Sequence, residues 1–160
     1  MKKLVIVLCT FLICSCSKEL SPDQLVKRNG ISYEVNSRTP FTGKVISHYE
    51  NGQLMGKESF KDGMMEELVM FRENGQLHLT RFIKDGKSDG NWENYYENGQ
   101  LEFKKTFKDG LKIGQWEFYY ANGQVKTKES YKDGKQDGLH ERYHNNGQLK
   151  EKLKFKNGIV

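Results

Sequence analysis

The chain has 160 residues, of which 36% are hydrophobic, 29% are charged and 12% are aromatic. So small an apolar share excludes a large compact core, whereas the aromatic share argues against a disordered chain. The net charge of +5 is spread among interspersed residues of both signs, which does not indicate a nucleic-acid-binding surface.

The first residues form a charged and then apolar segment. Lys2 and Lys3 precede an apolar run from Leu4 to Ile13. A run of about ten residues is too short to span a bilayer, which needs about 20. We therefore predict that residues 1–15 are a secretory signal peptide.

Cys16 ends a short pattern that resembles the bacterial lipobox. An aliphatic Ile13, a tolerant position and the small Ser15 precede it. The resemblance implies cleavage before Cys16 and lipid attachment to its sulfur. The protein would then be anchored to a membrane in the cell envelope, which can be the outer membrane in a Gram-negative host. More than one acyl chain on this residue would make the attachment firm.

The mature chain is predicted to have two parts. Residues 16–28 are mostly polar and are expected to be a short tether. Residues 29–160 contain an internal repeat and are expected to form one array. Because Cys9 and Cys14 leave with the signal peptide, no thiol would remain free for catalysis or for a zinc site.

Three markers recur in phase along the array. Asn-Gly-Gln followed by Leu or Val recurs at intervals of 23, 24, 24 and 24 residues, and a Lys-Asp-Gly or Lys-Asn-Gly signal follows each one. A lone glycine lies nine residues before the glycine of most Asn-Gly pairs, but Glu66 holds that place in the second unit, which is one residue short. The predicted turn glycines are Gly52, Gly75, Gly99, Gly123 and Gly147.

Two turn signals in each unit predict two strands, and the array is predicted to be an all-β, elongated, single-layer meander of antiparallel hairpins. A three-residue loop that ends in a left-handed glycine would place Tyr95 opposite Leu101 and Tyr119 opposite Val125. The return from Asp85 to Gly90 is expected to be a longer turn.

Apolar residues recur at fixed places in the units and are predicted to form the core. Leu101 and Phe107 differ by six positions and are expected to share one sheet face with Tyr95. Trp92 has odd parity, so it either follows a bulge or packs on the other side. The predicted core residues are Leu54, Phe60, Phe71, Leu77, Trp92, Tyr95, Leu101, Phe107, Trp116, Tyr119, Val125, Tyr131, Tyr143, Leu149 and Phe155.

The unit resembles the MORN-variant repeat, most fully over Gly90–Gly114 and Gly114–Gly138. The resemblance covers residues 40–158 and extends to proteins labelled YwqK-family antitoxin-like. It implies membrane association or protein–protein contact, and the label implies neutralisation of a toxin. His140 stands where the repeat has Trp, which weakens any site that needs that column.

No catalytic or metal-binding group has a useful spacing. His140 and His144 are four residues apart, which on a strand separates them by about 13 Å. The Asp-Gly turns offer too few carboxylates for calcium, and their lysines would repel a cation. We therefore predict no enzyme activity, no metal and no cofactor. The turn lysines either form a basic rail for anionic lipid or glycan, or they keep the sheet rim soluble.

These observations favour a membrane-anchored, non-catalytic binding or scaffolding lipoprotein that uses its repeat sheet for protein or envelope contacts. The expected partners are a protein and, through the lipid anchor, a membrane. Anionic lipid or glycan is a further option, and nucleic acid is not expected. The alternative is an antitoxin or immunity-type protein that binds and neutralises a toxin.

Overall fold

The computed structural model describes residues 17–160. The predicted signal peptide and the lipidation site Cys16 lie outside the described residues, so both stay predictions. The described part is built of strands and a short 3-10 turn at Pro22–Gln24. The strands are β1 Glu19–Leu20, β2 Leu25–Arg28, β3 Ile31–Glu34, β4 Gly43–His48, β5 Leu54–Lys61, β6 Met64–Phe71, β7 Leu77–Lys84, β8 Lys87–Tyr95, β9 Leu101–Lys108, β10 Leu111–Tyr119, β11 Val125–Lys132, β12 Lys135–Tyr143 and β13 Leu149–Phe155.

One long sheet contains eleven of these strands. From β4 to β13 each strand pairs antiparallel with the next strand along the chain, and β1 adds to β4 in parallel. Strands β2 and β3 form a separate two-stranded sheet. The predicted all-β meander of hairpins is therefore confirmed.

The Asn-Gly turns have the predicted three-residue loop. The amide of Tyr96 donates to the carbonyl of Gln100, and the amide of Gly99 donates back to Tyr96. Gly99 has a φ of +82°, a conformation that favours glycine. The side chain of Asn98 accepts a hydrogen bond from the Gln100 amide, which fixes the loop. As predicted, Tyr95 faces Leu101.

The Asp-Gly turns are shorter than predicted. Asp85 and Gly86 both have positive φ, at +49° and +73°, and Lys84 pairs directly with Lys87. This is a two-residue type I′ hairpin turn, whose twist matches that of the strands it joins. The predicted long return from Asp85 to Gly90 is therefore wrong, because β8 already begins at Lys87.

Each hairpin contains an additional bulge that the sequence analysis missed. Asn94 pairs with Phe103 and Tyr95 pairs with Leu101, so Glu102 has no counterpart on β8. An extra residue reverses the alternation of side chains along the strand. The prediction that Leu101 and Phe107 share a face is therefore wrong. The corresponding extra residues in the other hairpins are Met55, His78, Lys126 and Lys150.

The main cluster of buried residues lies at the amino-terminal end. Leu20, Phe41, Val45 and Phe60 pack together, with Leu25 against them. The small β2–β3 sheet contributes to this cluster, and the backbone of Ser32 is hydrogen-bonded to Gly63. The predicted tether over residues 16–28 is therefore wrong from Glu19 onward, because isolated apolar residues dock this segment onto the first hairpin.

The predicted core residues have unequal burial because the rest of the sheet has a single layer. Phe60 and Trp116 are buried, at 6% and 5% exposed, whereas Leu149 is 52% exposed. The other twelve predicted core residues are half-buried. In most of this array, the predicted core residues therefore form a stripe on one face of the sheet that remains partly exposed to solvent.

Candidate binding surfaces

One side of the long sheet, which we call the aromatic face, carries a continuous stripe of rings. Trp92, Phe107, Trp116 and Tyr131 follow one another across four strands. Their successive ring centroids lie 4.8, 5.1 and 4.7 Å apart, with interplanar angles of 43–57°. Tilted rings at this distance attract each other beyond their apolar contact.

The tryptophan side chains also donate hydrogen bonds to backbone carbonyls opposite a second bulge. Between the pairs Arg81–Trp92 and Ile83–Ser88, β8 has two more residues than β7, and Gly90 lies within the excess. The indole of Trp92 donates to the carbonyl of Phe82, opposite this bulge. In the next unit the Trp116 indole donates to the Thr106 carbonyl. This arrangement explains why a Trp follows the lone glycine by two residues.

The second unit has a shorter bulge, which accounts for its missing residue. The pairs Ser59–Glu67 and Phe60–Met65 leave one extra residue, Glu66, where the later units have two. Leu68 stands at the Trp position, because Leu68 pairs with Arg81, which in turn pairs with Trp92. A smaller bulge therefore coincides with the loss of both the glycine and the Trp.

Three cations lie over the aromatic stripe. The guanidinium carbon of Arg81 is 4.6 Å from the Trp92 ring centroid. The Nζ atoms of Lys105 and Lys112 lie 5.3 and 4.6 Å from the Trp116 ring centroid. Lys105 is also 4.0 Å from the Phe103 ring. Cations placed over aromatic rings are attracted to the ring faces.

These three cations have no ion-pair partner among residues 17–160. The carboxylate of Glu102 is bound by the Asn94 amide, and that of Glu129 accepts the Tyr131 hydroxyl at 2.7 Å. Burial, and then repulsion from Lys112, hold the pKa of Lys105 below its ordinary value. The centre of the aromatic face is therefore a basic surface whose three cations form no ion pair, although the carboxylates of Glu129 and Glu102 attract Lys105.

The opposite side, which we call the ladder face, has a different charge pattern. Acidic and basic residues alternate across six neighbouring strands, and each pairs directly with the next. The ladder consists of Glu93, Lys104, Glu117, Lys128, Glu141 and Lys152. Its ion pairs measure 3.3, 3.8 and 2.7 Å from Nζ to carboxylate oxygen. The charges on this face are thus compensated within the sheet.

In the last three units, the first tyrosine of each also belongs to the ladder face. The hydroxyls of Tyr95 and Tyr119 each donate to the glutamate two residues earlier, at 2.9 Å. Burial and this hydrogen bond raise the pKa of Tyr95 to about 12. Leu101, which faces Tyr95, lies on the same side. The Tyr and Leu columns are therefore separated by the sheet from the Trp and Phe columns.

The tyrosine just before the Asn-Gly loop joins consecutive hairpins in the first, third and fourth units. The hydroxyl of Tyr96 donates to the carbonyl of Tyr119, and that of Tyr120 donates to the carbonyl of Tyr143, both at 2.8 Å. In the second unit Arg72 takes this role and donates to the carbonyl of Tyr95. The sequence analysis missed these residues, although the recurring Tyr-Tyr pair was a visible signal.

The turn lysines do not form a uniform basic rail. Lys108 and Lys156 bind the carboxylates of Asp89 and Asp137 at 3.0 and 3.1 Å. Those carboxylates also accept hydrogen bonds from the amides of the adjacent turns, at Asp109 and Asn157. Plain turn chemistry therefore accounts for these aspartates.

Within residues 17–160, no cluster of three or more His, Cys, Asp or Glu side chains is arranged to hold a metal ion. No helix in that range is long and apolar enough to cross a membrane.

His140 takes the Trp position and packs against Phe155, with ring centroids 5.8 Å apart. His140 therefore lies at a packing position of the sheet, whereas His144 is exposed.

Comparison with known proteins identifies the repeat. A family profile described as MORN repeat variant matches residues 41–62, 88–109, 112–133 and 136–157, which together make up more than half of the chain. The second unit, which lacks the glycine and the Trp, is outside these matches. Among curated proteins, none matches the chain.

Proposed function

The chain belongs to the MORN repeat variant family, and we propose that it is a membrane-anchored, non-catalytic binding protein of the cell envelope. Its repeats suggest a role in binding or scaffolding. The contact surface in this proposal is the aromatic face of β7–β10, and the partner is a protein with an acidic surface. The lipid on Cys16 would hold the sheet at the membrane.

The cations that form no ion pair are the observation that carries the choice of surface. Arg81, Lys105 and Lys112 lie on rings and form no ion pair among residues 17–160, whereas Lys104 and Lys128 on the ladder face are paired. An acidic partner would gain attraction on the aromatic face with little competition from internal ion pairs. On the ladder face it would first have to displace glutamates.

Crosslinking in cells, followed by purification and mass spectrometry, tests this proposal. We expect the lipidated protein to capture a dominant protein partner. The double variant Lys105→Gln/Lys112→Gln should lose most of that capture. Lys104→Gln/Lys128→Gln removes equal charge from the ladder face and should keep it. Equal loss in both variants, or no loss in either, would contradict the choice of surface.

The same experiment bears on the antitoxin alternative. If the dominant partner is a secreted toxin, the binding protein is of the immunity type implied by the YwqK-family resemblance. Recovery of lipid or glycan without a protein would instead argue for a general envelope contact.

The anchor has a separate test. The intact mass of the protein from the membrane fraction should correspond to a chain that starts at Cys16 and carries acyl groups. An unmodified chain with another first residue would contradict lipidation. Cys16→Ser should release the protein from the membrane fraction without affecting the repeats.

A further inference from the structure

A small cavity lies between the β2–β3 sheet and the aromatic face of the first hairpin. Its volume is about 280 Å³. Leu25 and Pro22 line one side, and Val45, Phe60 and Met65 line the other. This is smaller than the pockets that hold drug-sized ligands, so it suits a group of side-chain size.

Glu58 is the one acidic side chain that lines this cavity. Among residues 17–160, its carboxylate has no hydrogen-bond donor and no ion-pair partner within bonding distance. Val45 and Leu68, the residues that face it on the neighbouring strands, are both apolar. Burial raises the pKa of Glu58, as expected for a carboxylate with little compensation.

The fourth unit provides an internal comparison, because Glu129 holds the same repeat position. Glu129 accepts the Tyr131 hydroxyl at 2.7 Å and lies 3.9 Å from His140 Nδ1. The corresponding residues around Glu58 are Phe60, which has no hydroxyl, and Leu68, which faces Glu58 from the next strand as His140 faces Glu129. The first unit therefore keeps the carboxylate but lacks both of its partners.

A carboxylate beside an apolar cavity selects a particular ligand chemistry. A cationic donor would supply the missing hydrogen bond and charge, and an apolar stem would fill the space between Leu25, Phe60 and Met65. We propose that this cavity binds a primary ammonium group on an unbranched apolar stem, which can be the side chain of a lysine in a partner protein or a free alkylamine. None of its residues belongs to the contact surface proposed above.

Lys27 at the cavity rim is the one competing cation among the lining residues. It is exposed and makes no ion pair with Glu58 in the structure. If Lys27 turned inward in solution, it would lower the pKa of the Glu58 carboxyl and occupy the site. Measuring that pKa by NMR in the full-length protein, with and without Lys27→Ala, separates the two arrangements.

The test is an NMR titration of the full-length protein with n-butylamine. We expect shifts confined to the residues that line the cavity, and a fall in the pKa of Glu58 on binding. Butan-1-ol, which has the stem without the charge, and methylamine, which has the charge without the stem, should bind about tenfold more weakly or worse. A lysine-containing peptide that binds more tightly than butylamine would identify a partner side chain as the source, and weaker binding would favour a free amine.

Two matched variants complete the design. Glu58→Gln should weaken butylamine binding by about tenfold or more, whereas Glu129→Gln should leave it unchanged. Equal affinity of wild type and Glu58→Gln would overturn the proposal. A Glu58 pKa below the ordinary value that rises in Lys27→Ala would also overturn it, because Lys27 would then hold the site.

Discussion

The first hairpin and the last three hairpins are made of the same repeat but are stabilised differently. Around the first hairpin, β4–β5, a second sheet covers one face, and Leu20, Phe41, Val45 and Phe60 form a buried cluster. From β8 to β13 the sheet has one layer, and Trp116 is the one hydrophobic side chain there that is buried. The repeat sequence therefore specifies the hairpin, while its neighbours decide whether a face is covered.

The difference shows what a single-layer sheet needs. Without a second layer, each hairpin depends on contacts with the hairpins beside it. These contacts are the ring stripe on the aromatic face, the charge ladder on the other face and the tyrosine hydroxyls at the turn ends. The second unit, which follows the two-layer hairpin, has neither the glycine nor the Trp.

Trp116→Ala should have the largest effect on stability. The ring is buried between Phe107 and Tyr131, and its indole satisfies a backbone carbonyl. Removing it should cost about 3–5 kcal/mol in the free energy of unfolding, measured by chemical denaturation. Trp92→Ala, which removes a half-buried ring, should cost less. Equal costs would mean that stacking along the stripe matters more than burial.

Two leucines contrast the two regions directly. Leu20 is 5% exposed in the two-layer region, and Leu149 is 52% exposed on the last strand. Leu20→Ala should lower the free energy of unfolding by about 2–4 kcal/mol. Leu149→Ala should lower it by under about 1 kcal/mol. A large effect of Leu149→Ala would show that the ladder face is covered in solution, for example by a partner or a second copy.

The glycines of two Asp-Gly turns offer a finer comparison. Gly63 and Gly110 have similar φ values of +78° and +84°. At Gly110 a methyl group would approach only Lys87, at 3.7 Å, so Gly110→Ala should cost about 1–2 kcal/mol of backbone strain. At Gly63 it would lie against Ile31 and 2.8 Å from the Ser32 carbonyl oxygen, so the cost should rise to about 2–3 kcal/mol. Denaturation of both variants checks the order.

The smallest expected effects are opposite responses to pH. Burial raises the pKa of Glu58, so its ionisation destabilises the fold, and that penalty grows as pH rises above the ordinary value of 4.5. Lys152, and then Tyr143, lower the pKa of Glu141, so its contribution is present above pH 4.5 and is lost as pH falls through its folded-state pKa. At pH 7, Glu58→Gln should raise the Tm and Glu141→Gln should lower it, each by a few degrees at most.

Thermal melts at pH 7 and pH 3 provide the check for this pair. Both differences from wild type should shrink at pH 3, where the two carboxyls are largely protonated. If Glu58→Gln were less stable than wild type at pH 7, the Glu58 carboxylate would have a hydrogen-bond donor or a cation as a partner in solution.

Much of the fold could be predicted from the sequence because the turns carry strong local signals. The spacing of Asn-Gly and Asp-Gly gave the hairpins, and the parity of Tyr95 and Leu101 gave the loop length. The extra residue after each loop could not be predicted, because Met55, His78, Glu102, Lys126 and Lys150 share no chemical property. Without it, Phe107 was placed on the same face as Leu101, and the face of the Trp column was left open.

The surfaces were harder to predict than the strands. The packing of Leu20 and Leu25 depends on a parallel pairing and a second sheet that no local pattern specifies. The alternation of Glu and Lys across strands requires the register, which the missed bulge changes. The cavity at Glu58 depends on what lies above the first hairpin, so the repeat pattern alone gave no indication of it.

The tyrosine bonds between hairpins have a consequence for how such genes can change. Tyr96 reaches the next unit, and Tyr120 reaches the unit after it, by the same bond at the same interval. Recombination between two repeats would thus add or remove a hairpin while restoring identical bonds on both sides. With strands about 4.8 Å apart, each such event would move the far edge by about 10 Å. The length of the sheet can therefore change by whole hairpins while the contacts between neighbouring hairpins stay the same.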